Sequence, residues 1–533
     1  MRFLFTDTIN SNVKINSSSL PLFEFIISYM RKKAKTFFDF FCRREQSINA
    51  ICFCTAPFVS AILYFSMPSV PSLSLKTDHA RFVCTNHLQD KQNRAIIIEA
   101  YANKKERQIK MKIETQCLHE GYTPKNGEPR VVPIVQSTTY VYDSTDDVAA
   151  VFDDPTKSLI YSRFENPTTD AVEKKIAALE GGAAAMCTSS GQAASLCAIL
   201  NICQAGDSFI ASSSIYGGTI NLFAVTFARM GIECIFVDVD ADEEELNDAF
   251  KPNTKAFFGE TIANPALTVL DIEKWARVAH KNGVPLIVDN TFATPYLCRP
   301  IEWGADIVIH STSKYMDGHA VQVGGVIVDS GKFDWTNGRF PCMTEPDESY
   351  HGIVYTEKYS FAPYIVKARM QLMRDFGCYP AANSSFLLNL GLETLAVRMD
   401  RYCENALKAA EFIEQSPLVS SVSYPSLKSS KYHALAEKYL PKGSSGVISF
   451  SIKGGRDNAV KFMDSLKLAS NEVHVADIRT CVLHPASATH RQLTDEQLAA
   501  AGIDGGLIRF SVGLENIEDI IEDISRGFAG VDM

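Results

Sequence analysis

From about residue 170 to residue 330 the chain alternates two patterns that fix its fold class. Short, uninterrupted apolar runs recur: SFIAS (208–212), CIFVDV (234–239), KAFFGE (255–260), PLIVD (285–289), DIVIH (306–310) and GGVIVD (324–329). Most are separated by helix-length segments such as Ile272 to Asn282, and Thr169 to Leu179 shows helical spacing ahead of the first. A strand that is apolar on both faces must be covered on both faces, and an intervening helix returns the next strand parallel to the last. The pattern predicts an α/β domain with a mostly parallel sheet, whose ligands sit beyond the carboxyl ends of the strands. Beyond residue 330 the alternation stops. A loop-rich stretch through PDESYHG (346–352), helices around 381–415, a strand VISFSI (447–452), a helix from Asp457 to Leu468 and a final acidic helix describe a smaller α+β domain. The expected division is an arm at 111–170, a ligand-binding domain at 171–375 and a C-terminal domain at 376–533.

The residues just past each strand carry the chemistry. After PLIV comes Asp289, in VDNTFATP (288–295); after KAFFG come Glu260 and Asn264, in GETIANP (259–265); after DIVI comes HSTSKYMDGH (310–319), with Lys314. An acid, an amide and a lysine at neighbouring strand ends can converge on one crevice. A carboxylate facing a pyridine nitrogen keeps that ring protonated and electron-withdrawing, and a lysine amine can hold an aldehyde cofactor covalently. SSGQAA (189–194) places a Ser-Gly step where a helix opens, and first-turn N–H groups there suit a phosphate. Taken singly each feature has an ordinary reading: a strand-end Asp caps a turn, a loop lysine is solvated, Ser311 and Ser313 are turn residues. Their order together is what points to a site.

That order resembles the Cys/Met-metabolism family of pyridoxal-phosphate enzymes, of fold type I, over essentially all of 111–533. YSRFENPT (161–168), SSGQAA, IYGGT (215–219), the Asp289 motif and STSKY (311–315) occur in the family's order. The resemblance implies a role for each position. Lys314 would carry pyridoxal 5'-phosphate, Asp289 would pair with the pyridinium nitrogen, Tyr216 would stack on the ring, and Asn264 would contact the ring hydroxyl. Ser190, Gly191, Gln192, Ser311 and Ser313 would hold the phosphate. Tyr161 and Arg163 would reach the phosphate of a neighbouring subunit, which implies a homo-oligomer, a tetramer built from dimers. Arg509, in LIRFSVGLE (507–515), would grip a substrate carboxylate, a task suited to a bidentate guanidinium, with Glu260 supporting the site on the substrate side. Tyr402 departs from the histidine often found there, and is expected on a helix away from the chemistry.

Within the family, YGGT, the extended PDESYHG region, FLLNLGLETLAVRM (386–399) and VLHPASATH (482–490) resemble O-acetylhomoserine sulfhydrylases. Gly218 stands where methionine γ-lyases tend to carry cysteine. The implied reaction is γ-replacement on O-acetyl-L-homoserine with sulfide, with Lys314 and Tyr216 as the catalytic side chains. Cystathionine γ-synthase and γ-lyase are the alternatives within the family. A membrane-tethered binding protein is the alternative outside it, against which Lys314, Asp289 and Arg509 all count.

Charge separates the first part of the chain from the rest. The whole carries 52 basic and 62 acidic side chains, a net charge of -10, which gives no reason to expect nucleic acid. Counting along the sequence, residues 1–110 hold 16 basic and 8 acidic residues, leaving 36 and 54 in 111–533. The 14 cysteines are scattered, without paired CxxC units or a histidine cluster, so neither a zinc site nor a disulfide framework is indicated. Free thiols suit the cytoplasm. No charge falls between Glu45 and Lys76, and Ile48 to Met67 is mostly apolar behind a basic cluster at Arg31 to Arg44. This reads as a membrane span of about 20 residues or as a segment that is not made. The orderly sequence opens at Met111, after an all-purine-encodable Lys104-Lys105-Glu106-Arg107, and synthesis is expected to start at Met111. The intact mass of the native protein should match 111–533; a mass matching the full chain overturns that expectation.

Overall fold

The computed structural model describes residues 111–153, 159–488 and 504–531, together with five short strands between residues 49 and 97. The chain divides into two units, Met1–Met111 and Lys112–Met533. In the first, Asn49–Thr55 pairs antiparallel with Ser60–Ser66, Asn49 opposite Ser66 and Thr55 opposite Ser60. The apolar run with the composition of a membrane span is thus a hairpin over most of its length. Residues 48, 56–59 and 67 of that run lie outside the described residues. Among the described residues no helix is long and apolar enough to cross a membrane.

The second unit is built on a seven-stranded sheet. Its strands are β1 (Ala184–Thr188), β2 (Ser208–Ser212), β3 (Glu233–Val237), β4 (Thr254–Glu260), β5 (Leu286–Asp289), β6 (Ile307–Ser311) and β7 (Gly325–Asp329). They lie in the order β1-β7-β6-β5-β4-β2-β3. Every pairing is parallel except the two made by β7. β7 follows β6 with no helix between them, so it can only return antiparallel. β1 was not among the expected strands because AAMCT is built from small residues that carry little strand signal. The apolar runs are buried as their composition requires: Leu286, Ile287 and Val288 of β5 and Ile307, Val308 and Ile309 of β6 are fully buried, each such side chain contributing about 1.5–3 kcal/mol.

Local sequence sets the covering helices. In α1 (Pro167–Glu180), Asn166 Oδ1 accepts from Thr168 N at 3.0 Å, Pro167 takes the first position, and Gly181 ends the helix at φ 75°. α2 (Gly191–Leu200) starts directly after β1, with Ser190 Oγ accepting from Ala193 N at 3.0 Å. α3 (Ile272–Lys281) carries the fully buried Trp275.

Two helices, α4 (Ala382–Glu393) and α5 (Leu395–Glu414), lead to a five-stranded sheet. Its strands are β8 (Val419–Ser423), β9 (Val447–Ile452), β10 (Ser470–Asn471), β11 (Cys481–Leu483) and β12 (Leu507–Ser511), in the order β8-β9-β12-β11-β10. Side-chain bonds fix this part to the loop after β6. Arg398 of α5 is buried and donates from Nη1 to the Tyr315 carbonyl at 2.7 Å, and from Nη2 to those of Met316 at 3.3 Å and Gly391 at 2.6 Å. Tyr315 Oη accepts from Gly446 N at 2.8 Å, just before β9. Replacing Arg398 with leucine strands three buried carbonyls. Arg398→Leu is expected to lower stability by about 3 kcal/mol, read as a reduced urea midpoint with an unchanged denaturant slope.

Candidate active site

Three adjacent strands end together. Glu260 of β4 and Asp289 of β5 are paired in register, and Ser311 of β6 lies one strand further on. Between them the site is tied by short bonds. Thr291 donates to Asp289 Oδ1 from Oγ1 at 2.5 Å and from its backbone N at 2.9 Å, while Thr291 Oγ1 accepts from Ser311 N at 2.8 Å. The Asp289 carboxyl is therefore aimed by its own turn. Burial pushes its pKa up, and the Thr291 bonds oppose the shift. No ion pair to a lysine or arginine is made by Asp289 among the described residues. It is a carboxylate suited to a cationic partner.

Glu260 is buried, and both its oxygens are engaged: Oε1 accepts from Tyr216 N at 2.7 Å and Oε2 from Asn264 N at 3.2 Å. Burial first, and then the neighbouring Asp289 charge, raise its pKa well above the usual carboxylate range. Its evident task is to hold the tyrosine loop and the asparagine loop against each other. Tyr216 in turn folds back over Gly218. A Cβ at residue 218 would lie 2.5 Å from Tyr216 Cε1 and 2.8 Å from Gln192 Nε2. The glycine thus lets a tyrosine ring approach the start of α2.

The opening of α2 packs against the lysine loop. A Cβ on Gly191 would meet Ser311 Cβ at 2.6 Å, so only glycine permits this approach. The N–H groups of Gly191 and Gln192, at the first two helical positions, have no acceptor inside the helix. Gln192 Oε1 is buried without a partner. Ser313 Oγ accepts from Gly324 N at 2.9 Å, placing a second hydroxyl near the same edge.

Lys314 and Arg509 complete the crevice. Burial, and then the nearby Arg509 charge, bring the Lys314 amine down to about 8, from an ordinary value of about 10.4. Its Nζ donates to His474 Nδ1 at 3.2 Å. Arg509 of β12 is buried; Nη1 donates to Asn264 Oδ1 at 3.3 Å, Nη2 to the carbonyls of Val473 and His474 at 3.0 Å each, and Nε has no partner. Sequence-expected residues from six motifs thus meet in one place.

Tyr161 and Arg163 are not part of this meeting. Arg163 lies over the Tyr161 and Phe164 rings and bonds the Arg374 carbonyl. Among the described residues no hydrogen bond joins either to Lys314, Asp289 or 189–192. Tyr402 lies on a helix, α5, as expected; it is fully buried with its ring 5.0 Å from that of Tyr315, the residue after Lys314. Cys187 and Cys298 are buried thiols whose pKa burial pushes up, as packing residues require. Thr291, Arg398 and His474 were missed. Thr291 was legible, since Asp-x-Thr is the pattern of a side-chain-capped turn; Arg398 and His474 have no local signal.

Comparison with known proteins agrees with this geometry. The pattern of the Cys/Met metabolism PLP-dependent enzyme family matches residues 114–529. The chain belongs to this family. It is 45% identical over 430 residues to the O-acetyl-L-homoserine sulfhydrylase of Leptospira meyeri, covering 79% of this chain and 97% of that protein. It is 48% identical over 417 residues to the homocysteine synthase of Schizosaccharomyces pombe, covering 78% and 97%. A solved structure of a putative O-acetylhomoserine (thiol)-lyase from Campylobacter jejuni, carrying a pyridoxyl-lysine phosphate, superposes with a TM-score of 0.76 at 37% identity. It covers 79% of this chain and all of that one. The family's cofactor is pyridoxal phosphate, and the residues present fit it: among the described residues, an amine that makes no salt bridge, a carboxyl that makes none to a lysine or arginine, a helix opening whose first N–H groups have no acceptor in the helix, and a ring beside it.

Gly218→Ala is expected to turn the Tyr216 ring outward, seen directly in a crystal structure. If that ring covers the cofactor, affinity for pyridoxal phosphate should fall on the order of threefold to tenfold, the size of one aromatic stacking contact.

Proposed function

We propose that this chain catalyses γ-replacement on O-acetyl-L-homoserine with sulfide, giving L-homocysteine and acetate. The observation that carries the reading is the half-buried Lys314 amine, brought down to about 8 by burial and by the nearby charge of Arg509, whose Nη1 is held by Asn264. The names of the relatives, sulfhydrylases and homocysteine synthases, support the same reaction.

When bound, the cofactor draws electrons from the α-carbon of a substrate joined to it through the amine. The side chains then divide the work. Arg509, through its unpartnered Nε and its Nη1, takes the substrate α-carboxylate and so fixes which Cα bond is presented. Lys314, with its amine brought down to about 8, is neutral in a useful fraction near pH 7–8. It takes the proton from Cα and moves a proton at Cβ. Acetate leaves from Cγ, sulfide bonds there, and the protons return to carbon. Asp289 holds the pyridine nitrogen protonated, Asn264 contacts the ring hydroxyl, and Tyr216 covers the ring face and assists proton transfer. The α2 opening (Ser190, Gly191, Gln192), Ser311 and Ser313 receive the phosphate. Glu260 keeps the Tyr216 and Asn264 loops in place.

We place Tyr161 and Arg163 at the cofactor phosphate of a neighbouring copy. That neither bonds Lys314, Asp289 or 189–192 of its own chain among the described residues supports this, as do exposed apolar side chains such as Val141, Phe361 and Val397, and we infer a homotetramer built from such dimers. Ten free cysteines among the described residues support a cytoplasmic setting.

The purified full chain, given O-acetyl-L-homoserine and sulfide, is expected to release homocysteine. Lys314→Ala should lose the visible cofactor band and at least about 1000-fold in kcat. Faster formation of cystathionine from cysteine would move the assignment to cystathionine γ-synthase. Absence of both products would end the reading.

A further inference from the structure

One polar side chain beside Lys314 has no part in this reaction scheme. His474 lies in the loop between β10 and β11, and its Nδ1 is the hydrogen-bond partner of the Lys314 amine, at 3.2 Å. Its Nε2 is buried without a partner. The loop is held from three directions. Arg509 Nη2 donates to the carbonyls of Val473 and His474, Ala476 N donates to Ser511 Oγ at 2.9 Å, and Ile478 N donates to the Gly318 carbonyl at 2.8 Å. Ala476 takes φ 69°, a left-handed conformation that a residue with a side chain keeps only where its surroundings enforce it. The backbone is thus pinned where it presents the imidazole to the amine.

We propose that His474 is a positioning residue that receives the Lys314 amine whenever the amine is not joined to the cofactor, and holds it with its proton between the carbons it serves. The inference rests on the reading of Lys314 as the proton carrier.

The chemistry favours an imidazole in this place. Once the substrate's amine has displaced it, Lys314 must be neutral to accept the Cα proton, and becomes an ammonium on accepting it. The groups around His474 are the Lys314 amine, Arg509 from β12, Cys481 from β11, and Glu472, Asp477 and Arg479 of its own loop. Burial, and then the Lys314 charge, hold the His474 pKa down to about 4. The ring is therefore neutral above about pH 5, and with Nδ1 accepting, its proton sits on Nε2. Such an acceptor steadies the ammonium but is too weak a base to take its proton. The proton stays on Nζ until it is delivered to carbon. A carboxylate at the same position would hold the ammonium too firmly to give the proton back.

The test is the titration of the Lys314 amine itself in the full chain freed of cofactor. Competitive acetylation by acetic anhydride across pH 6–11, with the Lys314 peptide quantified by mass spectrometry against exposed Lys174, reads it without any turnover. The parent midpoint is expected near the lowered value of about 8. Because the acceptor favours the ammonium, His474→Leu should lower that midpoint by about half to one pH unit, and His474→Gln, which keeps an acceptor, should restore most of it. In the loaded enzyme His474→Leu should lose about tenfold in kcat with KM for the ester changed less than about threefold. Should the leucine variant fail to fold, His474→Phe keeps the ring volume and answers the same question. A Lys314 titration that overlays the parent's in these variants overturns the inference. If the titration shifts as expected while the parent makes no homocysteine, the sulfhydrylase reading fails and the role of His474 stands.

Discussion

Partial removal of the Lys314 amine from water, with no salt bridge to an acid among the described residues, is the interaction on which the site depends. Burial disfavours the ammonium, and the Arg509 charge disfavours it further, so the amine comes down to about 8. Both effects require a rigid surround, because a mobile loop would let water or a carboxylate reach the nitrogen. The surround is supplied by Arg398, which ties two successive loop carbonyls to that of Gly391 in α4, and by Tyr315, whose hydroxyl accepts from Gly446. The lysine's chemistry is therefore set partly by helices and strands that never approach it.

A second constraint is the pair of carboxyls at the ends of β4 and β5. Adjacent parallel strands bring Glu260 and Asp289 side by side, where each raises the cost of ionising the other. They share that cost by facing different partners. Glu260 accepts from two backbone N–H groups, while Asp289 is aimed by Thr291, whose bonds oppose the upward shift that burial imposes. The same sheet geometry thus sets two acids side by side in different hydrogen-bond surroundings.

Much of this was legible from the residues. The apolar runs announced a covered, mostly parallel sheet because continuous burial on both faces leaves no polar alternation, and five of its motifs meet at the strand ends as that architecture demands. The register of Asp289 against Glu260 was not legible, since strand order is set by packing of distant segments. β1 was missed for lack of bulky residues, and β7's reversed direction followed from a missing helix whose consequence the local sequence does not state. Arg398 and His474 act across 82 and 160 positions of chain, a distance over which a single sequence carries no signal. Near residues 49–66 composition is ambiguous in the other direction: an unbroken apolar run fits a span and also fits the two antiparallel strands Asn49–Thr55 and Ser60–Ser66.

The reversed strand β7 has one more consequence. It lies between β1, which leads into the α2 opening, and β6, which leads into Lys314, and Gly325 faces both Thr188 and Ser311. Those two flanking strands never pair with each other. The spacing between the candidate phosphate cradle and the lysine is therefore written into the length and alignment of a third strand that pairs with both. A slip of one residue along it would displace one partner relative to the other by about 3.4 Å, more than the reach of a hydrogen bond. Gly324 and Gly325 add to this, since a side chain at either would strike Thr312 or the Ser190 carbonyl. An inert strand here works as the ruler of the catalytic centre.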